Sequence, residues 1–175
     1  AKHGGVDIVV DNAGVTRGRM LARMPEGTWD QVIHINLSAV VAINDKLIER
    51  ALRDEGRLIS LSSIAGIAGN TGQTNYSAAK GAIASMTYTW AGELARYGIR
   101  VNAISPAGTT RMSATAKIGG KEVTLPPIDP TRNGAFVAFL CSDEASWVTG
   151  QIFGTGADRT VILEQEGEVE DEDLI

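Results

Sequence analysis

Short apolar runs alternate along this chain with long stretches of helical periodicity, and that alternation points to a parallel sheet covered by helices on both faces. Val6 to Val10 reads as a strand of the kind buried on both sides. A helix is expected from about Thr28 to Arg53, where Trp29, Val32, Ile33, Asn36, Leu37 and Val40 recur at helical spacing. Arg57 to Leu61 forms the next strand, and its carboxyl end delivers Ser62 and Ser63. A second helix, about Asn75 to Tyr97, runs into Gly98, a natural helix-ending residue, and the strand Ile99 to Ile104 follows. Periodicity is lost between Met112 and Pro127. Asp129-Pro130 then has the form of an N-cap with proline at the first helical position. Gln151 to Phe153 and Thr160 to Leu163 are short strands.

In sheets of this class ligands bind beyond the carboxyl ends of the strands. Three groups of residues are expected there: Asn12 to Gly14, Ser63, and Pro106 to Thr110. Ser63 lies thirteen residues before Tyr76, Asn36 lies forty before it, and Lys80 follows it by four. A phenol, an ammonium, a hydroxyl and a carboxamide can together move a proton to or from a carbonyl oxygen. Tyrosine alone, with a pKa of about 10, is a poor acceptor near neutrality, so a cation one helical turn away is expected to lower it. A serine hydroxyl can hydrogen-bond an oxygen on which negative charge develops. Any Tyr and Lys four apart can also be a plain helix-surface pair, and Asn36 can be a helix polar group bonded to a neighbouring carbonyl.

The segments Ile59-Ser60-Leu61-Ser62-Ser63-Ile64-Ala65-Gly66 and Gly69-Asn70-Thr71-Gly72-Gln73-Thr74-Asn75-Tyr76 resemble the short-chain dehydrogenase/reductase family, particularly its 3-oxoacyl-thioester reductases. Asp11-Asn12-Ala13-Gly14, Ile35-Asn36-Leu37 and Val101-Asn102-Ala103-Ile104-Ser105-Pro106 extend the resemblance, which runs from about Val6 to about Gly156. It implies an α/β, Rossmann-like doubly wound parallel sheet and a catalytic set of Asn36, Ser63, Tyr76 and Lys80. It also implies NADP or NAD as cofactor, with contacts from Asn12, Ala13, Gly14, Tyr76, Lys80, Pro106, Gly108, Thr109 and Thr110. In the Pro106 segment Ala107 intervenes before Gly108, so those contacts stand one position from the family's usual register. Lys80 is expected to hold the nicotinamide ribose, and Asn36 to kink its helix and hold a relay water. Ser62 is the neighbour that the family spacing passes over, and His34 and His3 are read as structural and as terminal surface.

The same resemblance matches the first strand to the family's fourth. The family's Gly-rich Thr-Gly-x-x-x-Gly-x-Gly turn would then lie upstream, with about three βα units, and without those neighbours Val6 to Val10 is expected to be an exposed apolar edge. Gly66, Gly69 and Gly72 on the loop before Tyr76 are not expected to replace it, nor is Gly154-Thr155-Gly156, which lacks a third glycine after it. Ile118-Gly119-Gly120-Lys121-Glu122 lacks the spacing of a phosphate loop. The reading is therefore the C-terminal portion of such a domain over residues 1–163, with 164–175 as an acidic tail. Seven acids between Glu164 and Asp173 contribute −7 to the formal charge of −5, which leaves the body near +2.

That body carries no basic run with interleaved aromatics, so nucleic acid is not an expected partner. No apolar run is long enough to span a membrane, no cluster has metal-ligand spacing, and a single cysteine, Cys141, excludes an intrachain disulfide. The expected partner is a small carbonyl or alcohol substrate, with a 3-oxoacyl or 3-hydroxyacyl thioester favoured. The resemblance further implies a cytoplasmic homodimer or homotetramer joined through the two long helices. The alternative is a non-catalytic remnant that binds partners.

Overall fold

A computed structural model describes residues 3–110, 127–156 and 160–163, with the backbone of 117–118 and 121–122. Strand β1, Val6–Asp11, is followed by helix α1, Glu26–Ile33, which widens into a π-turn over His34–Ser38 and continues as α2, Ala39–Arg50. Then come β2, Leu52–Leu61; the short α3, Ile64–Ile67; the long α4, Thr74–Leu94; and β3, Arg100–Pro106. Two-residue strands β4, Lys117–Ile118, and β5, Lys121–Glu122, pair with each other. Helix α5, Arg132–Cys141, precedes β6, Gln151–Thr155, and β7, Thr160–Ile162.

The main sheet has the order β1-β2-β3-β6-β7, parallel except for the antiparallel last pair. Leu58 and Ile59 show how it is covered, since neighbouring strand residues point to opposite faces. Leu58 packs with Val9, Ala91, Leu94 and Val101, and with Leu47 and Trp90 behind them, so α2 and α4 cover one face. Ile59 packs with Ile104, Leu140 and Phe153, so α5 covers the other. Phe136 meets Phe153 edge-on, with ring centroids 4.9 Å apart. This is the doubly wound α/β arrangement expected from the alternation of elements.

Several boundaries differ from the sequence expectation. Strand β1 is not covered on both sides: Val9 is buried, but Ile8 and Val10 are 44% and 42% exposed, and the strand lies at the sheet edge. The first long helix ends at Arg50, and Arg53 already belongs to β2. That strand begins five residues before Arg57 because its early part pairs with Val6 across an irregularity, where Glu55 adopts φ 60°. Proline and aspartate do not open α5. Asp129 instead accepts from the Thr131 N–H and hydroxyl, and helical geometry starts at Arg132. The second long helix tightens into a 3-10 turn over Ala95–Tyr97, which Gly98 closes at φ 67°, as a left-handed helix end requires.

Helix α3 and helix α4 touch through backbone. A Cβ on Gly66 would stand 2.5 Å from the Gly81 nitrogen and the Lys80 carbonyl carbon, and one on Gly81 would stand 3.0 Å from the Gly66 oxygen. Only residues without a side chain permit this approach. Gly66→Ala is therefore expected to destabilise the fold by about 1–3 kcal/mol, the usual cost of overpacking. Urea denaturation checks it, and a midpoint equal to that of the parent would show the contact to be slack.

Candidate functional site

Parallel register sets the carboxyl ends of β1, β2 and β3 side by side, with Asp11 opposite Ser60 and Leu61 opposite Ile104. Segments 12–14, 62–63 and 107–110 consequently leave the sheet at one edge, as the sequence implied. Ser63 stands at the start of α3, where its hydroxyl accepts from the Ala65 N–H at 3.2 Å. Ser62 faces the other way and donates to the Lys80 carbonyl at 2.9 Å inside the core. Strand alternation, not only spacing, thus leaves Ser63 at the site.

Tyr76 and Lys80 lie one turn apart near the start of α4, both buried, with the ammonium nitrogen 5.8 Å from the centre of the phenol ring. Ser63 lies near enough to the Tyr76 phenol to influence its ionisation. The Lys80 ammonium donates to the Leu61 carbonyl at 2.5 Å, at the end of β2. Burial draws Lys80 down to about 8, opposed by the negative charge of Asp11. Burial pushes the Tyr76 phenol above its ordinary value, opposed by the Ser63 hydroxyl. The expectation that Lys80 would lower the phenol is therefore not met here. The ammonium is aimed at the strand end, and loss of hydration outweighs it.

Asn36 occupies the π-turn and is fully buried. Its amide nitrogen donates to the Val15 and Val32 carbonyls, both at 2.9 Å, and its oxygen accepts from the Val15 N–H at 3.1 Å. The side chain has committed both N–H groups and clamps the loop after β1. Gly14 is required beside it, because a Cβ there would stand 2.6 Å from the Asn36 oxygen and 3.8 Å from the Lys80 ammonium. Asn12 and Ala13 are exposed at the strand end.

Pro106 closes β3 opposite Thr155. The next residues fold against the approach to α5: Thr109 donates to the Ile128 carbonyl at 2.8 Å, and its hydroxyl accepts from the Ile128 N–H at 2.9 Å. Gly108 abuts Pro130, whose Cβ would lie 2.8 Å from a side chain at that position. Thr110 is exposed at the end of this segment. The specificity segment expected over Ser113 to Pro127 and the acidic tail lie almost wholly outside the described residues.

Two residues escaped the sequence reading. Asn75, fully buried, donates to the Arg17 and Thr28 carbonyls at 3.3 and 3.4 Å and accepts from the Tyr76 N–H at 2.8 Å, which ties the tyrosine to two distant segments. Asp11 accepts from Asn44 at 2.7 Å and from Ser60 at 3.2 Å. Its place immediately before Asn12-Ala13-Gly14 was the available signal.

The octapeptide Thr149-Gly150-Gln151-Ile152-Phe153-Gly154-Thr155-Gly156 spells the Thr-Gly-x-x-x-Gly-x-Gly spacing that the sequence reading placed upstream. Its central residues are strand β6, paired on both sides, whereas a phosphate turn links a strand to the start of a helix. The match is one of letters only. Among the described residues no turn with the Thr-Gly-x-x-x-Gly-x-Gly spacing links a strand to a helix to cradle a pyrophosphate, while the buried Lys80 ammonium and the Ser63 and Tyr76 hydroxyls are a donor set that fits a nicotinamide-ribose. Among the described residues no group of three acids, histidines or cysteines could hold a metal, and no helix is long and apolar enough to cross a membrane.

Sequence comparison gives the geometry its family. The model of the family described as Enoyl-(Acyl carrier protein) reductase matches residues 1–155. A 3-oxoacyl-[acyl-carrier-protein] reductase of Thermotoga maritima is 42% identical over 162 residues, which covers 87% of this chain and 65% of that protein. Nodulation protein G of a Rhizobium species is 38% identical over 156 residues, or 84% of this chain and 63% of that protein. A crystal structure of a short chain dehydrogenase from Mycobacterium avium superposes with a TM-score of 0.74 at 35% identity, covering 98% of this chain and 59% of that one. The chain belongs to the short-chain dehydrogenase/reductase family. It matches somewhat under two thirds of the length of the curated relatives it resembles.

Lys80 gives the site a pH signature. Its folded value, about 8, lies below the 10.5 of an unhindered lysine, so the unfolded chain binds more protons between those values. Stability should rise with pH across that window, by about 1–3 kcal/mol. Urea midpoints of the protein and of Lys80→Met, measured at both ends of the window, check this. The rise should be absent in the variant.

Proposed function

We propose that this protein interconverts a carbonyl and a secondary alcohol with NADP or NAD, and that its substrate is a 3-oxoacyl or 3-hydroxyacyl thioester. The observation that carries the reading is buried Tyr76 with buried Lys80 one turn on and Ser63 beside the phenol, at the carboxyl edge of the sheet. The nicotinamide supplies the hydride when bound. In the reducing direction Tyr76 gives its phenolic proton to the substrate oxygen, and Ser63 hydrogen-bonds that oxygen as charge builds on it. The Lys80 ammonium, present below about pH 8, favours the phenolate left behind. Asn36 serves by fixing Val15, and through it the loop that carries Asn12, Ala13 and Gly14. Those residues and the segment Pro106, Gly108, Thr109 and Thr110 are the proposed walls around the nicotinamide and its ribose. The 3-oxoacyl-[acyl-carrier-protein] reductase name of the Thermotoga relative supports the acyl thioester.

NADPH- and NADH-dependent reduction of acetoacetyl-CoA, with nucleotide binding measured on the same preparation, tests the reading. Tyr76→Phe should lower kcat by about 10²- to 10⁴-fold, the usual worth of a positioned acid. Unchanged turnover in that variant would remove Tyr76 as the acid, and a protein that binds neither nucleotide would remove the enzyme reading in favour of a partner-binding remnant.

The outer surfaces of α2 and α4 bear on assembly. Leu37, Val41, Ala42, Ala82 and Met86, with Ser38 and Asp45 among them, line a shallow groove between these helices, and Val41 is 40% exposed. We propose a homodimer or homotetramer joined there, an exposed and mostly apolar groove being the kind of surface that oligomers cover. Val41→Glu should yield a smaller species in sedimentation velocity, and an unchanged sedimentation coefficient would move the interface elsewhere.

A further inference from the structure

Behind the catalytic lysine lies a second polar layer. Asp11 is the last residue of β1, opposite Ser60 in the parallel register, and Lys80 reaches to Leu61, the next residue along β2. The Asp11 carboxyl group is more than half buried and accepts two hydrogen bonds on one oxygen, Oδ2, from Asn44 and Ser60. Asn44 is itself fully buried and held by a second bond to the Val40 carbonyl at 3.0 Å. The carboxylate is therefore fixed from a helix on one side and a strand on the other. Nothing in the local packing requires a charge here. Two donors to a single oxygen would serve a neutral amide as well, and a buried carboxylate is costly unless a cation compensates it.

We propose that Asp11 is a positioning residue for the site: its carboxylate, locked by Asn44 and Ser60, keeps the Lys80 ammonium charged and seated at the end of β2. The inference rests on the reaction proposed above. The groups packed around Lys80 leave few other sources of compensation. Strand β2 contributes the Leu61 carbonyl and the Ser62 hydroxyl, which bonds the Lys80 main chain. Segment 62–67 contributes the backbone of Gly66, the loop after β1 contributes Gly14, and α4 itself contributes Tyr76. Among these groups only Tyr76 is titratable, and it is a neutral phenol over the working range. The two ionisable groups also influence each other as a coupled pair must. Burial lowers Lys80 and Asp11 opposes it, whereas burial raises Asp11, opposed first by the Asn44 and Ser60 hydrogen bonds and then by Lys80.

Asp11→Asn keeps the volume and an acceptor for both donors while deleting the charge. The ¹³Cε resonance of Lys80, followed by NMR against pH and assigned through Lys80→Arg, should show its midpoint falling from about 8 by about one unit. The alkaline limb of kcat for ketone reduction should move down with it. Ser60→Ala retains the carboxyl group and removes one of its two donors, so it should shift the midpoint in the same direction by less. A midpoint unmoved in Asp11→Asn overturns the proposal, as does a uniform drop in kcat with the limb in place, which would mark Asp11 as merely structural. Should Asp11→Asn not fold, Ser60→Ala decides by the same midpoint. A preparation without turnover would count against the proposed reaction, and the NMR midpoint would still decide the role of Asp11.

Discussion

A lysine ammonium buried at the end of a β-strand is the constraint around which the rest of this chain is arranged. Lys80 is 5% exposed, and taking an ammonium that far out of water costs several kcal/mol unless its hydrogens are satisfied and its charge is compensated. The first need is met by the Leu61 carbonyl, which is available only because β2 ends there and turns into Ser62 and Ser63. Reaching it requires α4 to lie unusually close to the turn after β2, hence the backbone contact between Gly66 and Gly81. The same approach brings Ser63 to Tyr76. One glycine pair thus connects the packing of a helix to the alignment of two hydroxyl groups.

Buried asparagines hold the remaining segments in place. Asn36, Asn44, Asn75 and Asn102 are all at most 2% exposed, and all bond backbone or side chains distant in sequence. Asn102 donates to the Val148 carbonyl and accepts from the Gln151 N–H, fixing the entry to β6. An amide can satisfy a donor and an acceptor at once, so it can splice an irregular loop onto an element without leaving an orphaned backbone group. Apolar side chains in those places would keep the core dry and leave the loops at the strand ends unanchored. Site geometry here depends on loops being as well defined as the elements they join.

What could be read from the sequence followed from periodicity and spacing. The alternation of elements and the convergence of Asn12 to Gly14, Ser63 and Pro106 to Thr110 at one sheet edge depend on chain order, and the choice of Ser63 over Ser62 depends on the spacing to Tyr76 that the family resemblance implies. The less legible features depend on three-dimensional environment. An apolar run such as Val6 to Val10 reports what a strand could bury, and Ile8 and Val10 are nonetheless exposed, because covering them requires a neighbour that no local pattern encodes. The sign of the Tyr76 shift depends on dehydration of the phenol, which spacing to Lys80 does not report. Asp11 belongs to a quoted motif but carries no role at the level of sequence, because an aspartate at a strand end is ordinary, and only its register with Ser60 and the reach of Asn44 from α2 set it behind the lysine.

These environments also order the protonation states. Free lysine releases its proton slightly above free tyrosine, but burial moves the two in opposite directions here, the ammonium down to about 8 and the phenol above 10. Near neutrality the pair is therefore a protonated phenol beside a protonated amine. As pH rises the amine loses its proton first. For the proposed reaction this order suits reduction, in which a protonated phenol must be ready and a nearby cation must favour the phenolate once its proton has gone. Oxidation of the alcohol would need the phenolate at the outset, a state that burial opposes and that a neutral Lys80 could not support. Whatever keeps the ammonium charged widens the pH range in which reduction proceeds, and the carboxylate at the end of β1 is the described group placed to do so.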